Sequence, residues 1–226
     1  MLSKLLVIFL FTITPVCHGA ETADAGLPGY FTNLGFGARA LGMGRANTAV
    51  VGDAGAVYWN PAGLSMVGAK TVQLMHVSLF EDTSYDTLAY AHPLSYNTTI
   101  GLGVAQLYSG GFTQRDDNNN PTGSFSDENI AAILGLASHF GEELSIGVAP
   151  KMIRKNFAGL KETAFGLDAG MMVRPFSSFS PIYSGVTLGL SVRNIISPKL
   201  QRENLTDEEP FSTRVGVALP YRPAPD

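Results

Sequence analysis

One pattern limits what this chain can fold into more than any other: large aliphatic residues alternate with glycine, alanine and serine. At residues 186–193, Val186, Leu188, Leu190 and Val192 fall on one side of a period-two repeat, with Thr187, Gly189, Ser191 and Arg193 on the other. Successive side chains of a strand point to opposite faces, so this is strand periodicity. The repeat returns at Ile100, Leu102 and Val104, at Leu144, Ile146 and Val148, at Phe165, Leu167, Ala169, Met171 and Val173, and at Val215, Val217 and Leu219. Weaker segments lie at 71–79, 85–92 and 129–140. Turn-rich connectors such as Ser95-Tyr96-Asn97, Phe140-Gly141-Glu142 and 175–181 separate them, and no helical period intervenes. The pattern implies about eight antiparallel strands in an all-β chain.

The face opposite the aliphatics decides between two all-β architectures. A soluble sandwich turns Lys, Glu and Thr to water. Here that face is Gly, Ala and Ser with an occasional Asp or Arg, and a glycine inside a strand weakens it unless something approaches closely. A transmembrane β-barrel accounts for both faces: aliphatics meet lipid, and small residues line an interior that a plug can occupy. A tilted transmembrane strand needs about 9–11 residues, which these segments supply. Composition points the same way, because only 15% of the residues are charged, against roughly 25% in soluble domains. The net charge of −4 and the lack of a basic block exclude the electrostatic footprint of a nucleic-acid binder.

The first residues read as a secretory signal, with Lys4 ahead of the apolar run at residues 5–13, too short to span a bilayer. Residues 1–19 form the signal, with cleavage after Gly19 or as late as Ala25. Cys17, the sole cysteine, falls in this segment, so the mature chain has no disulfide framework. No later stretch has about 20 uninterrupted apolar residues, and no transmembrane helix is expected.

Residues 26–69 differ from the strand region, being dense in glycine and alanine. Gly37-Ala38-Arg39-Ala40-Leu41-Gly42-Met43-Gly44, Asn47-Thr48-Ala49-Val50, Asp53-Ala54 and Val57-Tyr58-Trp59-Asn60-Pro61-Ala62-Gly63-Leu64 stand there in fixed order. This signature resembles that of the FadL-like outer-membrane barrels, nearest the PorV/PorQ branch. Val192-Arg193-Asn194-Ile195, Pro210 and residues 214–218 are also similar to that branch. The resemblance implies an N-terminal hatch folded into the lumen, fixed to the wall by Asn60, Pro61 and Ala62, with barrel strands over 70–226. Asn60 brings an amide that can satisfy backbone groups in the lumen. Pro61 sets chain direction without needing a donor partner, and Tyr58 and Trp59 wedge between wall and cavity. The family barrel is fourteen-stranded, whereas about eight strands are present here, so the chain reads as C-terminally incomplete. An eight-stranded barrel would leave little room for a hatch.

Other candidate sites are weaker. The oxygen-rich run at residues 116–121 reads as the longest, exposed loop, without the ligand spacing of a calcium loop. His18, His76, His92 and His139 share no metal-ligand spacing. No nucleophile turn or paired carboxylates are present, so neither an enzyme nor a bound cofactor is expected. Asp168, Arg193 and Arg214 take interior-facing positions, where they orient a polar head group or form an interior ion pair. The expected place is the cell outer membrane of a Gram-negative envelope, after export, with outer-membrane lipid as surroundings. The resemblance implies one of two roles: passage of a hydrophobic small molecule such as a long-chain fatty acid, or a non-transporting role as partner or shuttle among secretion-system proteins of the type IX kind.

Overall fold

The computed structural model describes residues 29–50, 52–176, 185–202 and 205–220. The signal segment with Cys17, most of the connector 175–181 and the last residues 221–226 lie outside them.

Eight strands make one antiparallel sheet in the order β1 (Thr71–Ser78), β2 (Thr83–Pro93), β3 (Thr98–Arg115), β4 (Pro121–Phe140), β5 (Leu144–Phe157), β6 (Leu160–Val173), β7 (Thr187–Ile196) and β10 (Ser212–Ala218). A separate hairpin, β8 (Lys199–Arg202) and β9 (Leu205–Glu208), is inserted between the last two. Each strand of the sheet pairs with its neighbour in sequence, the meander expected from the turn-rich connectors. Among the described residues no hydrogen bonds join β1 to β10, so both are edge strands of the sheet.

The two faces divide as the alternation requires. Leu74, Leu134, Phe165, Leu188 and Val215 point outward, with Leu74 74% and Val215 77% exposed. The inward positions are small, and the register aligns them across strands. Ala91 faces Gly101 and Gly101 faces Gly135. Ala137 faces Gly147, Gly147 faces Gly170, and Gly170 faces Ser191.

Against this inner face lies the N-terminal segment, a series of short turns rather than a regular layer. It comprises a 3₁₀ turn at Tyr30–Leu34, helices at Ala38–Gly42 and Ala56–Trp59, and a 3₁₀ turn at Pro61–Met66. Its large side chains build the core: Phe36, Val57, Tyr58, Trp59 and Leu64 are buried, joined by Tyr85, Ile133 and Ile153 from the strands. The hydrophobic core therefore sits between hatch and wall, and the aliphatic face lies outside it. Among the described residues no helix is long and apolar enough to cross a membrane.

One expectation is corrected. The run at 116–121 is a hairpin tip and not the longest loop, because β3 continues to Arg115 and β4 resumes at Pro121. Asp116 ties that tip, its Oδ1 accepting from the backbone N–H groups of Asn118 (2.9 Å) and Asn120 (2.8 Å). These bonds hold its carboxyl below the usual carboxylate range, the backbone N–H of Asn120 contributing most. Among the described residues the hatch packs against one face of the eight-stranded sheet, where glycines make space for its approach.

Candidate functional site

Two seams join hatch to wall. The first is steric and centres on Asn60-Pro61-Ala62. The Ala56–Trp59 helix ends where Asn60 turns extended (φ −159°, ψ 104°). Asn60 Oδ1 then accepts from the N–H of Ala62 (3.2 Å), capping the next turn, whose first residue is Pro61. Proline suits that position because its fixed φ matches and its missing donor would have had no partner. The Asn60 amide donates to the Thr48 carbonyl (2.7 Å) within the hatch and to the Met171 carbonyl (3.4 Å) in β6. One side chain thus caps a turn, braces the hatch and bonds the wall.

The wall answers with glycine. A Cβ at Gly147 would stand 2.5 Å from the Pro61 carbonyl carbon, and one at Gly135 would stand 2.5 Å from Leu64 Cδ1. At Gly170 it would overlap Asn60 Oδ1, and at Gly189 the carbonyl of Thr48. Strand glycine here permits close approach of a second backbone. Beside this seat, Phe36 stacks on Tyr58 at 4.8 Å, Tyr58 meets Trp59 edge-on at 5.0 Å, and Trp59 Nε1 donates to the Phe36 carbonyl (2.8 Å). Tyr58 and Trp59 are both buried between hatch and sheet.

The second seam is ionic. Asp168 and Arg193 are 3% exposed, and both face inward as the alternation requires. Lys151 from β5 stands 3.0 Å from Asp168 and 3.7 Å from Glu209. Arg193 lies 3.9 Å from Asp168 and 3.7 Å from Glu209. Two cations and two carboxylates balance, which lets the group stay buried without net charge. Arg193 then crosses to the hatch: Nη1 donates to Asn33 Oδ1 (3.2 Å) and Tyr58 Oη (3.1 Å), and Nη2 to Thr32 Oγ1 (3.1 Å). Its guanidinium carbon also stands 4.6 Å from the centre of the Tyr58 ring.

A bulge completes the cluster. Between β6 and β7 the register shifts past Leu167 and Ala169, and Asn194 adopts a left-handed φ of 59°. Arg193 and Asn194 are consequently both buried, although alternation would put them on opposite faces. The Asn194 N–H donates to Asp168 Oδ1 (2.8 Å), its amide to the Pro210 carbonyl (2.7 Å), and its Oδ1 accepts from Lys151 Nζ. Glu209 arrives from the far side of the β8–β9 hairpin, held by its N–H to the Pro198 carbonyl (3.1 Å). Arg214 is brought near but not into this group: it is half-buried and stands 5.5 Å from the Trp59 ring centre.

Sequence pattern alone points to Asp168, Arg193, Arg214 and the Tyr58–Ala62 motif, and the structure places all of them along the hatch–wall boundary. It does not point to Lys151, Asn194 or Glu209 as site residues. Lys151 carries a usable signal, since it continues the inward series Ser145, Gly147, Ala149. Among the described residues no group of three or more His, Cys, Asp or Glu side chains could hold a metal ion.

A sheet with an apolar outer face and a small-residue inner face packed on an N-terminal hatch defines an all-β class in which the exterior of the sheet is apolar as well as the core. The chain belongs to the family described as an uncharacterised protein family (UPF0164), whose profile matches residues 31–168, covering hatch and strands through Asp168. That is the PorV/PorQ-like family. A search of curated proteins gives no match.

Proposed function

We propose that this chain forms the wall and hatch of an outer-membrane β-barrel protein of the FadL-like, PorV/PorQ type. Its hatch gates passage of a hydrophobic small molecule such as a long-chain fatty acid. The observation that carries the membrane reading is the reversal of faces. Contiguous exposed apolar patches on soluble monomers rarely exceed a few hundred Å², whereas here aliphatics project outward from successive strands of the whole sheet. Lipid is the solvent that makes this face favourable, and antiparallel strands satisfy their backbone groups against one another within it.

The gating reading rests on the two seams. Hydrogen bonds, ion pairs and close packing hold the hatch in the described region, and all of these are reversible. A second reading, a non-transporting partner or shuttle in protein export of the type IX kind, draws on a different observation. The hatch is densely packed, with Trp59, Ala62 and Leu64 essentially inaccessible. The β3–β4 hairpin, with strands of 18 and 20 residues, is far longer than the roughly 9–11 residues a crossing needs, and its projecting end offers a partner surface.

Two measurements test this. Cells expressing the chain are fractionated, and the outer-membrane fraction is run on gels with and without heating. Recovery from the membrane with heat-dependent migration is expected, and recovery from the soluble periplasm overturns the membrane reading. The same cells are then given labelled long-chain fatty acid. Uptake above that of cells lacking the chain supports gating. Unchanged uptake, with secretion of export substrates lost when the chain is deleted, replaces gating by the partner role.

A further inference from the structure

Between the ionic seam and edge strand β10 lies a cavity of about 470 Å³, walled by Tyr30, Asn33, Arg45, Arg193, Glu209 and Arg214. Its arginines differ in how they are satisfied. Arg193 is neutralised by Asp168 and Glu209 and spends its Nη donors on the hatch, its Nε lying buried without an acceptor. Arg45 and Arg214 form no ion pair with any carboxylate among the described residues. Arg214 Nη1 is shielded from solvent and has no hydrogen-bond acceptor, while its guanidinium stands against the rings of Trp59 and Tyr58. A buried donor without an acceptor costs free energy, and a guanidinium offers its donors in a fork shaped for an oxyanion.

Arg45 is delivered to the same cavity by an unusual backbone. After the Ala38–Gly42 helix, Gly44 (φ 62°) and Arg45 (φ 67°) are both left-handed. The turn is held by the Arg45 N–H on the Ala40 carbonyl (2.9 Å) and the Asn47 N–H on the Arg45 carbonyl (2.8 Å). A left-handed conformation is disfavoured for a residue with a Cβ. Arg45 itself is exposed, outside the hatch core. Ser212 and Thr213 add hydroxyl-bearing residues to the same wall. Among the described residues Glu209 is the one carboxylate on the cavity; it stands 3.7 Å from both Lys151 and Arg193, and its Oε2 accepts no hydrogen bond.

The geometry points to an oxyanion-binding subsite at Arg45 and Arg214, taking the carboxylate or phosphate group of a small polar molecule or lipid head. The walls set the class: two guanidiniums without an ion-pair partner, Arg45 exposed and Arg214 half-buried, disfavour a cation, and Asn33, Ser212 and Thr213 set polar groups beside them. The inference stands whether or not a hydrophobic molecule crosses the hatch.

Trp59, the sole tryptophan of the chain, reports on the site because Arg214 lies against it. The full chain, folded in detergent micelles and verified by heat-dependent migration, is titrated with phosphate, with acetate, and with micelles doped with short-chain phosphatidic acid, each against chloride at matched ionic strength. A saturable change in Trp59 emission is expected, with matching heat in calorimetry. Arg45→Gln and Arg214→Gln each weaken it about tenfold or more, the loss expected for a charge-assisted pair. Arg39→Gln, which removes an exposed arginine paired with Asp53, leaves it unchanged. Calorimetry on Arg45→Gln separates loss of binding from a direct effect of Arg214→Gln on the indole. A response to doped micelles alone upholds the site and assigns a lipid head as its source. No saturable response from folded protein in any arm, or equal binding by both cavity variants and wild type, overturns the proposal.

Discussion

The glycine seat around Asn60-Pro61-Ala62 and the ionic seam around Arg193 hold the same hatch to the same sheet by opposite means. At the seat the wall contributes an absence: Gly147 and Gly170 let the hatch backbone approach closer than any side chain would allow. At the seam the wall contributes long charged side chains, and contact is made at the end of the Arg193 guanidinium. The seat fixes where the hatch lies by shape, which neither pH nor salt alters. The seam fixes it by charge balance, which removal of one partner destroys. The hatch is thus held at two places by contacts that respond to different conditions.

Breaking the seam should have the largest effect. Arg193→Met leaves Asp168 and Glu209 buried with Lys151 alone, and breaking a buried ion pair by removing one partner costs about 3–5 kcal/mol. Denaturant unfolding in micelles should show that loss. The double variant Arg193→Met, Glu209→Gln restores a one-to-one charge balance and should recover part of it; no recovery would mean that the Tyr58, Asn33 and Thr32 bonds carry the seam.

Filling the seat comes next. Gly147→Val drives a side chain into the Pro61 backbone, and overpacking of this kind costs about 1–3 kcal/mol. Gly68→Ala is the control, because a Cβ there meets nothing within 4 Å. Equal stability of the two variants would mean that the close approach is not a constraint. Asn60→Ala should cost less, about 1–2 kcal/mol, the usual effect of losing a cap. Asn60→Ser keeps a cap acceptor but does not reach Thr48 or Met171, so it should recover only part of that loss in the same unfolding measurement.

How far these regions can be read from sequence depends on their physics. Where a strand lies between core and exterior, alternation reports the face directly, so Asp168, Arg193 and Arg214 are legible as inward. The seat is legible only as glycine on one face; what each glycine admits depends on a segment about a hundred residues away. Lys151 is obscured because Pro150 and the charges at Arg154 and Lys155 end the apolar alternation, although β5 continues to Phe157. Asn194 turns inward through a bulge and a left-handed φ, which period two cannot express. Glu209 reaches the cluster only because the β8–β9 hairpin carries it there. The upper ends of β3 and β4 read as loop for a related reason: with neither core nor apolar surroundings on one side, a ladder needs no contrast between faces.

That upper hairpin gives the smallest effect and the sharpest control, since it lies far from both seams. The Asp116 carboxyl is held below its ordinary value by the Asn120 N–H and amide and by the Asn118 N–H. With the folded value depressed, its contribution to the tip is present above the ordinary carboxylate range, and it is lost as pH falls through the depressed folded value. Hydrogen exchange should therefore show protection of the Asn118 and Asn120 amides at neutral pH, fading in acid, and absent throughout in Asp116→Ala. Because Asp116 is fully exposed, the effect should stay local, with hatch amides and the unfolding midpoint unmoved. A shift of the hatch amides in this variant would break the comparison, because the seams would then not be the only places where the hatch senses the wall.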